Sequence, residues 1–303
     1  MTPERKTRQC CHPSVLALKE AGGGEFPPER IILKRAEEIT RYALGLGWPG
    51  PPYNPRVLAS LLGMRVREER LGPGTDGVLM ANGRGELEIL VNASSPPSRQ
   101  NFTICHEIAH TLFPDHFDIV RKRQGAVHPQ AGHRELEALC NLAASELLMP
   151  MAAFARDVVY HGLSLASVGP LMERYGASAE AVARRMVATQ LEICCAVFLK
   201  RMHKPSETRT SGEGVAGTPK KKMRVEYSVP SSEFSWFIPR HKSVPAHSCV
   251  HRAVLERGVV AATEDWGLRG APMFRIEAQA SLGGGGESTT ACRVVSLVFP
   301  TYI

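Results

Sequence analysis

The sequence predicts an α+β chain: a mostly helical domain with a small sheet, then a smaller α+β domain. Three observations predict it. Apolar residues recur at three- and four-residue steps in several proline-bracketed segments, the spacing of one buried helix face. Short runs at 64–69, 76–80 and 87–92 read as strands, the last two as a hairpin. A stretch rich in Ser, Thr, Gly, Pro and Lys, residues 201–222, reads as a linker before a last segment, 223–303, with further strand-like runs.

The elements follow in order. Residues 1–28 end on Gly22-Gly23-Gly24 and Pro27-Pro28 and are expected to be a poorly ordered N-terminus. From Arg30 to Leu46, Ile31, Ile32, Ile39, Tyr42 and Leu46 stand at helical spacing. Pro49 to Pro55 break the chain. A short helix over Pro55–Gly63 and a strand over Met64–Glu69 come next. The hairpin of Asp76–Met80 and Leu87–Asn92 turns at Asn82-Gly83-Arg84-Gly85. Phe102, Cys105, Ala109 and Leu112 mark a helix of about four turns, opened by Pro96 and Pro97 and ended by Pro114. Leu136, Leu139, Cys140, Ala143, Leu147 and Leu148 mark another, which Pro150 is expected to stop.

Leu165–Glu173 and Ser178–Ala188 read as a further helix pair with some helix-turn-helix character. Arg184 and Arg185 could face DNA, but Val182, Met186 and Val187 favour packing. The apolar run Ile193–Lys200 is expected to close the first domain, residues 29–200. In the last segment, strands are expected at 224–229, 259–261, 273–278 and 293–298, with a short helix at 248–257 and a turn at Gly283–Gly286.

The 303 residues are 43% apolar and 22% charged, ordinary for a globular chain. No apolar run reaches the length of a membrane span. The N-terminal apolar stretch Val15-Leu16-Ala17-Leu18 is too short for a secretory signal, so a cytoplasmic location is expected. The net charge is +7. Its visible clusters, Arg121-Lys122-Arg123 and Lys220-Lys221-Lys222, read as solvated loops, the first placed where it could meet a substrate protein. Eight cysteines contain no CxxC, which argues against a zinc ribbon. Cys105, Cys140, Cys194 and Cys195 lie in apolar runs and read as small buried hydrophobes, with Cys105 a candidate redox-sensitive thiol.

Residues 106–110 read His106-Glu107-Ile108-Ala109-His110, an HExxH string. On a helix, positions i and i+4 share a face, so the two imidazoles can converge on one cation. Glu107 lies at the neighbouring edge, within reach of a water beside that cation. Zinc accepts two histidines and a carboxylate and keeps a position for water, which it acidifies into a nucleophile. The bland alternative is two histidines packed on a half-buried helix.

Two candidates compete for the third ligand. His116 has the spacing of an HExxHxxGxxH site, but Phe113 stands where that pattern needs glycine. Glu137, near the start of the next helix, is the stronger candidate, since a carboxylate from a second helix completes a His2Glu set. Glu135 is not excluded by spacing, Glu146 is expected to be solvated, and His128 and His133 are placed in the preceding loop. Tyr160, His161 and His133 are candidate donors to an oxyanion.

The two helices together resemble the ImmA/IrrE family of zinc metallopeptidases. The resemblance is carried by HEIAH and by the segment Glu137-Ala138-Leu139-Cys140-Asn141-Leu142-Ala143-Ala144-Ser145-Glu146-Leu147-Leu148-Met149-Pro150, which is similar to E-x-x-A-N-x-F-A-x-x-L-L-M-P. Cys140 replaces the usual alanine and Ala143 the usual phenylalanine. Both keep their positions small or apolar, so neither is expected to touch the chemistry. The match covers about residues 30–200. The resemblance implies a zincin-like fold with His106, His110 and Glu137 as ligands of zinc, or of manganese, and Glu107 as catalytic base. It implies cleavage of a helix-turn-helix repressor, releasing stress-response or mobile-element genes, and a sensor-like role for residues 223–303. The competing readings are a regulator that binds DNA or a repressor without cutting it, and a hydrolase that uses HExxH on a small substrate.

Overall fold

The computed structural model describes residues 12–117, 132–206, 221–256, 258–281 and 293–301. The fold is α+β, with helices and two sheets, and the chain divides into two compact units. The first comprises residues 1–154 and 173–177, the second 155–172 and 178–303.

In the first unit, helix α1 (Pro13–Ala21) buries Val15 and Leu18. Helix α2 (Pro28–Gly45) has Pro28 in its first turn, where a missing N–H costs nothing. It buries Ile31, Ile32, Ala36, Thr40 and Ala43 along one face. Helix α3 (Pro55–Leu61) is capped by the Asn54 side chain, which accepts from the Arg56 amide. Strands β1 (Arg65–Glu69), β2 (Gly77–Ala81) and β3 (Leu87–Asn92) form a sheet of order β1-β3-β2. Strand β3 is central, parallel to β1 and antiparallel to β2, and its Ile89 and Val91 are buried.

Helix α4 (Pro97–His110) packs against α3, β2, β3 and α5 (His133–Leu148). Helix α5 also packs on α2, so it lies between α2 and the helix that carries the HExxH string.

Helix α6 (Met151–His161) follows at once. Pro150 begins this helix as much as it ends α5, because its carbonyl accepts from the Ala153 and Phe154 amides. A 3₁₀ turn (Leu165–Ser167), α7 (Val168–Tyr175) and α8 (Ala179–Ala188) come next. Ser178 caps α8 by accepting from the Ala181 amide. Val182, Met186 and Val187 are buried, as is Arg185, while Arg184 is exposed.

In the second unit, β4 (Cys195–Met202), β5 (Lys222–Pro230), β6 (Val259–Glu264), β7 (Phe274–Ser281) and β8 (Arg293–Pro300) form an antiparallel sheet of order β5-β4-β8-β7-β6. Helix α9 (Cys249–Leu255) packs on β6, β7 and β8 over a core that includes Val197, Val225, Trp266, Phe274 and Ile276.

Several expectations are corrected. The first 28 residues were read as poorly ordered, yet 13–21 form a helix; residues 1–11 lie outside the described residues. The strand expected to close the first domain pairs instead with β5 and β8 inside the second sheet. Its burial on both faces reads alike in either setting, which is why the sequence misplaced it. The expected linker is narrower, because β4 runs to Met202 and β5 begins at Lys222. Helix α6 was not anticipated. The 121–123 cluster, Lys220, His128 and the turn at 283–286 lie outside the described residues.

Candidate metal centre

The site is built on two helices that cross the core of the first unit. In α4, Ile104, Cys105, Ile108 and Ala109 are buried, so the helix is held on more than one face. This fixes the direction in which His106, Glu107 and His110 project. Ligand-type atoms of these three residues lie within 4.8 Å of one another.

Glu137 enters from the first turns of α5. Its Oε2 lies 3.1 Å from His106 Nε2 and its Oε1 3.8 Å from His110 Nε2. The carboxylate thus spans both rings. The other nitrogen of each ring is held by the same helix: His106 Nδ1 is 3.1 Å from Asn141 Oδ1, and His110 Nδ1 is 3.3 Å from Cys140 Sγ. Glu137, Cys140 and Asn141 fall at i, i+3 and i+4, one face of α5.

Glu107 is 5% exposed, and its Oε2 accepts the Leu79 amide of β2 at 3.0 Å. Antiparallel pairing places Leu79 opposite Ile89, with its N–H turned away from β3 and toward α4. The close approach of β2 to α4 requires Gly77. A Cβ there would stand 2.4 Å from Thr103 Cγ2 and 3.0 Å from the Leu90 carbonyl oxygen.

Burial pulls the His106 imidazolium down. The hydrogen bond that the ring donates to Glu137 and the charges of Glu107 and Glu137 outweigh it, and hold the ring above the usual histidine value. Burial pushes the Cys105 thiol well above the ordinary range, so the expected redox-sensitive thiolate is disfavoured there.

The remaining candidates separate. His116 Nδ1 donates to the Phe113 carbonyl at 2.9 Å and its ring lies tilted against Phe117 at 4.2 Å between centroids, a local arrangement. Glu146, expected to be solvated, is buried and accepts the Met151 amide at 3.0 Å, closing the start of α6. His133, placed by the sequence in a loop, is the first residue of α5, and its Nε2 is 3.6 Å from Glu137 Oε1. Tyr160 and His161 belong to the second unit. Cys140 was expected to stay clear of the chemistry, yet it touches His110. The clue available in the sequence was its i+3 spacing from Glu137.

A helix bearing His-x-x-x-His, a crossing helix bearing a carboxylate, and a small sheet behind them define a zincin-like α+β domain. Residues 59–187 match the peptidase family M78, described as the IrrE N-terminal-like domain, so this part of the chain is similar to that family. The radiation response metalloprotease IrrE of Deinococcus radiodurans is 26% identical over 159 residues, 52% of this chain and 48% of that protein. The protein of the same name from Deinococcus deserti is 28% identical over 161 residues, 52% of this chain and 53% of that protein. The chain therefore spans about half the length of the curated relatives it matches. A solved structure described as a Mycobacterium tuberculosis transcriptional regulator shares the fold, with a TM-score of 0.57 over 88% of each chain at 14% identity. Among the described residues no single helix is long and apolar enough to cross a membrane.

Proposed function

We propose that the chain is a cytoplasmic metal-dependent endopeptidase, with zinc as its cation and manganese as the alternative, acting on a helix-turn-helix repressor. The observation that carries the reading is the Glu137 carboxylate set between the Nε2 atoms of His106 and His110. The donor set suits zinc: two imidazoles and a carboxylate, each about 2 Å from a tetrahedral ion, stand about 3.3 Å apart. His106, His110 and Glu137 would hold the cation. Glu107 is read as the base and not as a ligand, because its carboxylate is tied back to the Leu79 amide while Glu137 spans both rings. When bound, such a cation acidifies water and polarises a carbonyl.

The chain's own groups do the rest. Glu107 takes a proton from the attacking water and delivers one to the leaving nitrogen. Its hydrogen bond to Leu79 fixes the carboxylate plane for both transfers. His133, at the mouth of the site with its side chain 43% exposed, is the candidate donor to the oxyanion. Residues 223–303 would supply a sensor-like unit.

The test uses the full chain with zinc or manganese and a helix-turn-helix repressor encoded beside its gene, with products read by mass spectrometry. One discrete cut is expected, lost in Glu107→Gln while zinc is retained. A repressor that is bound but left intact would favour the non-proteolytic regulator instead. Cleavage by Glu107→Gln at the wild-type rate would remove the base assignment.

A further inference from the structure

We infer that Cys140 is a positioning residue that sets the His110 ring to receive the cation. The inference rests on the metal-centre reading above and concerns how this chain prepares that site. An imidazole offers a lone pair at Nε2 when its proton sits on Nδ1, and an acceptor at Nδ1 selects that tautomer. His110 is 1% exposed and Cys140 is fully buried, so water does not compete strongly for that nitrogen. Cys140 Sγ lies 3.3 Å from His110 Nδ1, placed to accept an N–H there. Nε2 is then directed toward the Glu137 carboxylate.

His106 shows the same device in a more familiar form, with the Asn141 carboxamide oxygen at its Nδ1. Consecutive residues of α5 thus hold the two rings, while Glu137, one turn earlier, faces their opposite nitrogens. A sulfur acceptor is weaker than an amide oxygen. Its effect at His110 comes from burial, because an unsatisfied ring N–H in that position carries a desolvation cost.

The test compares the full-length wild type with Cys140→Ala and Cys140→Ser. Zinc affinity is measured by competition with a chromophoric chelator, and the His110 tautomer of the metal-free protein by nitrogen-15 NMR at about pH 8, well above the ordinary imidazole range. Cys140→Ala is expected to weaken zinc roughly 10- to 100-fold and to shift His110 toward the Nε2–H form. Cys140→Ser, whose hydroxyl also accepts, is expected to recover zinc affinity to within about threefold of wild type.

Should the alanine variant not fold, the wild-type spectrum decides: a ring protonated on Nδ1 supports the inference, and one protonated on Nε2 overturns it. Zinc affinity unchanged in Cys140→Ala, with wild type still binding zinc, overturns the role of Cys140 and leaves the metal centre standing. A wild type that binds no zinc overturns both.

Discussion

Glu137 stands within 4 Å of three imidazoles, those of His106, His110 and His133, and this crowding governs the chemistry at the residue scale. Under the proposed function, two of these rings hold the cation and the third is left to act on substrate. His133→Ala is then expected to lower kcat roughly 100-fold with zinc affinity nearly unchanged; equal losses in both would make it a ligand. A second carboxylate carries a pH effect. The Arg99 guanidinium pairs with Asp76 through Nε–Oδ1 at 2.8 Å and Nη2–Oδ2 at 2.6 Å. That hydrogen bonding holds the Asp76 carboxyl below its ordinary value against the opposing cost of burial. The folded state therefore binds this proton less readily than the unfolded chain. The stabilisation is present above the unfolded value near 3.8 and is lost as pH falls through the lower folded value. Urea titrations should show Asp76→Asn less stable than wild type at pH 7, with the gap closing below pH 4. A gap that widens in acid would contradict the assignment. The clustering of His106, Glu107 and His110 was legible because i and i+4 spacing is a local property of one helix. The contacts of Cys140 and His133 depend on how two helices cross, which no single periodicity records.

At the scale of elements, the strand beside the HExxH helix matters as much as the helix. Strand β2 supplies the Leu79 amide that holds Glu107, and Gly77 lets it approach α4. Gly77→Ala is expected to cost about 1–3 kcal/mol through overpacking against Thr103, and to lower kcat by displacing Glu107. Chemical denaturation within about 0.5 kcal/mol of wild type would show that the strand yields without cost. The hairpin itself was legible from its short runs and its Asn-Gly turn. Helix α6 was not, because Pro150 serves both as a stop for α5 and as a start for α6. Glu146 was misread for a related reason: a carboxylate on an apolar stripe suggests solvent until the amide it caps is seen. The helix at 13–21 was hidden by the Gly and Pro residues that follow it.

For the whole molecule, the α+β class was legible, but the place of β4 was not. An eight-residue apolar strand between two domains offers no local sign of which sheet it joins, and pairing with β5 and β8 assigns it to the second unit. The family match ends at residue 187, before this strand begins. The proposed function needs a cation held by His106, His110 and Glu137, with Glu107 kept for proton transfer. Zinc titration of the full chain beside Glu137→Gln and Glu107→Gln tests it most directly. One zinc per chain is expected, with a Kd raised at least about 100-fold in Glu137→Gln and within about threefold of wild type in Glu107→Gln. Zinc lost from Glu107→Gln but retained by Glu137→Gln would contradict it, and would make His106, Glu107 and His110 the ligand set.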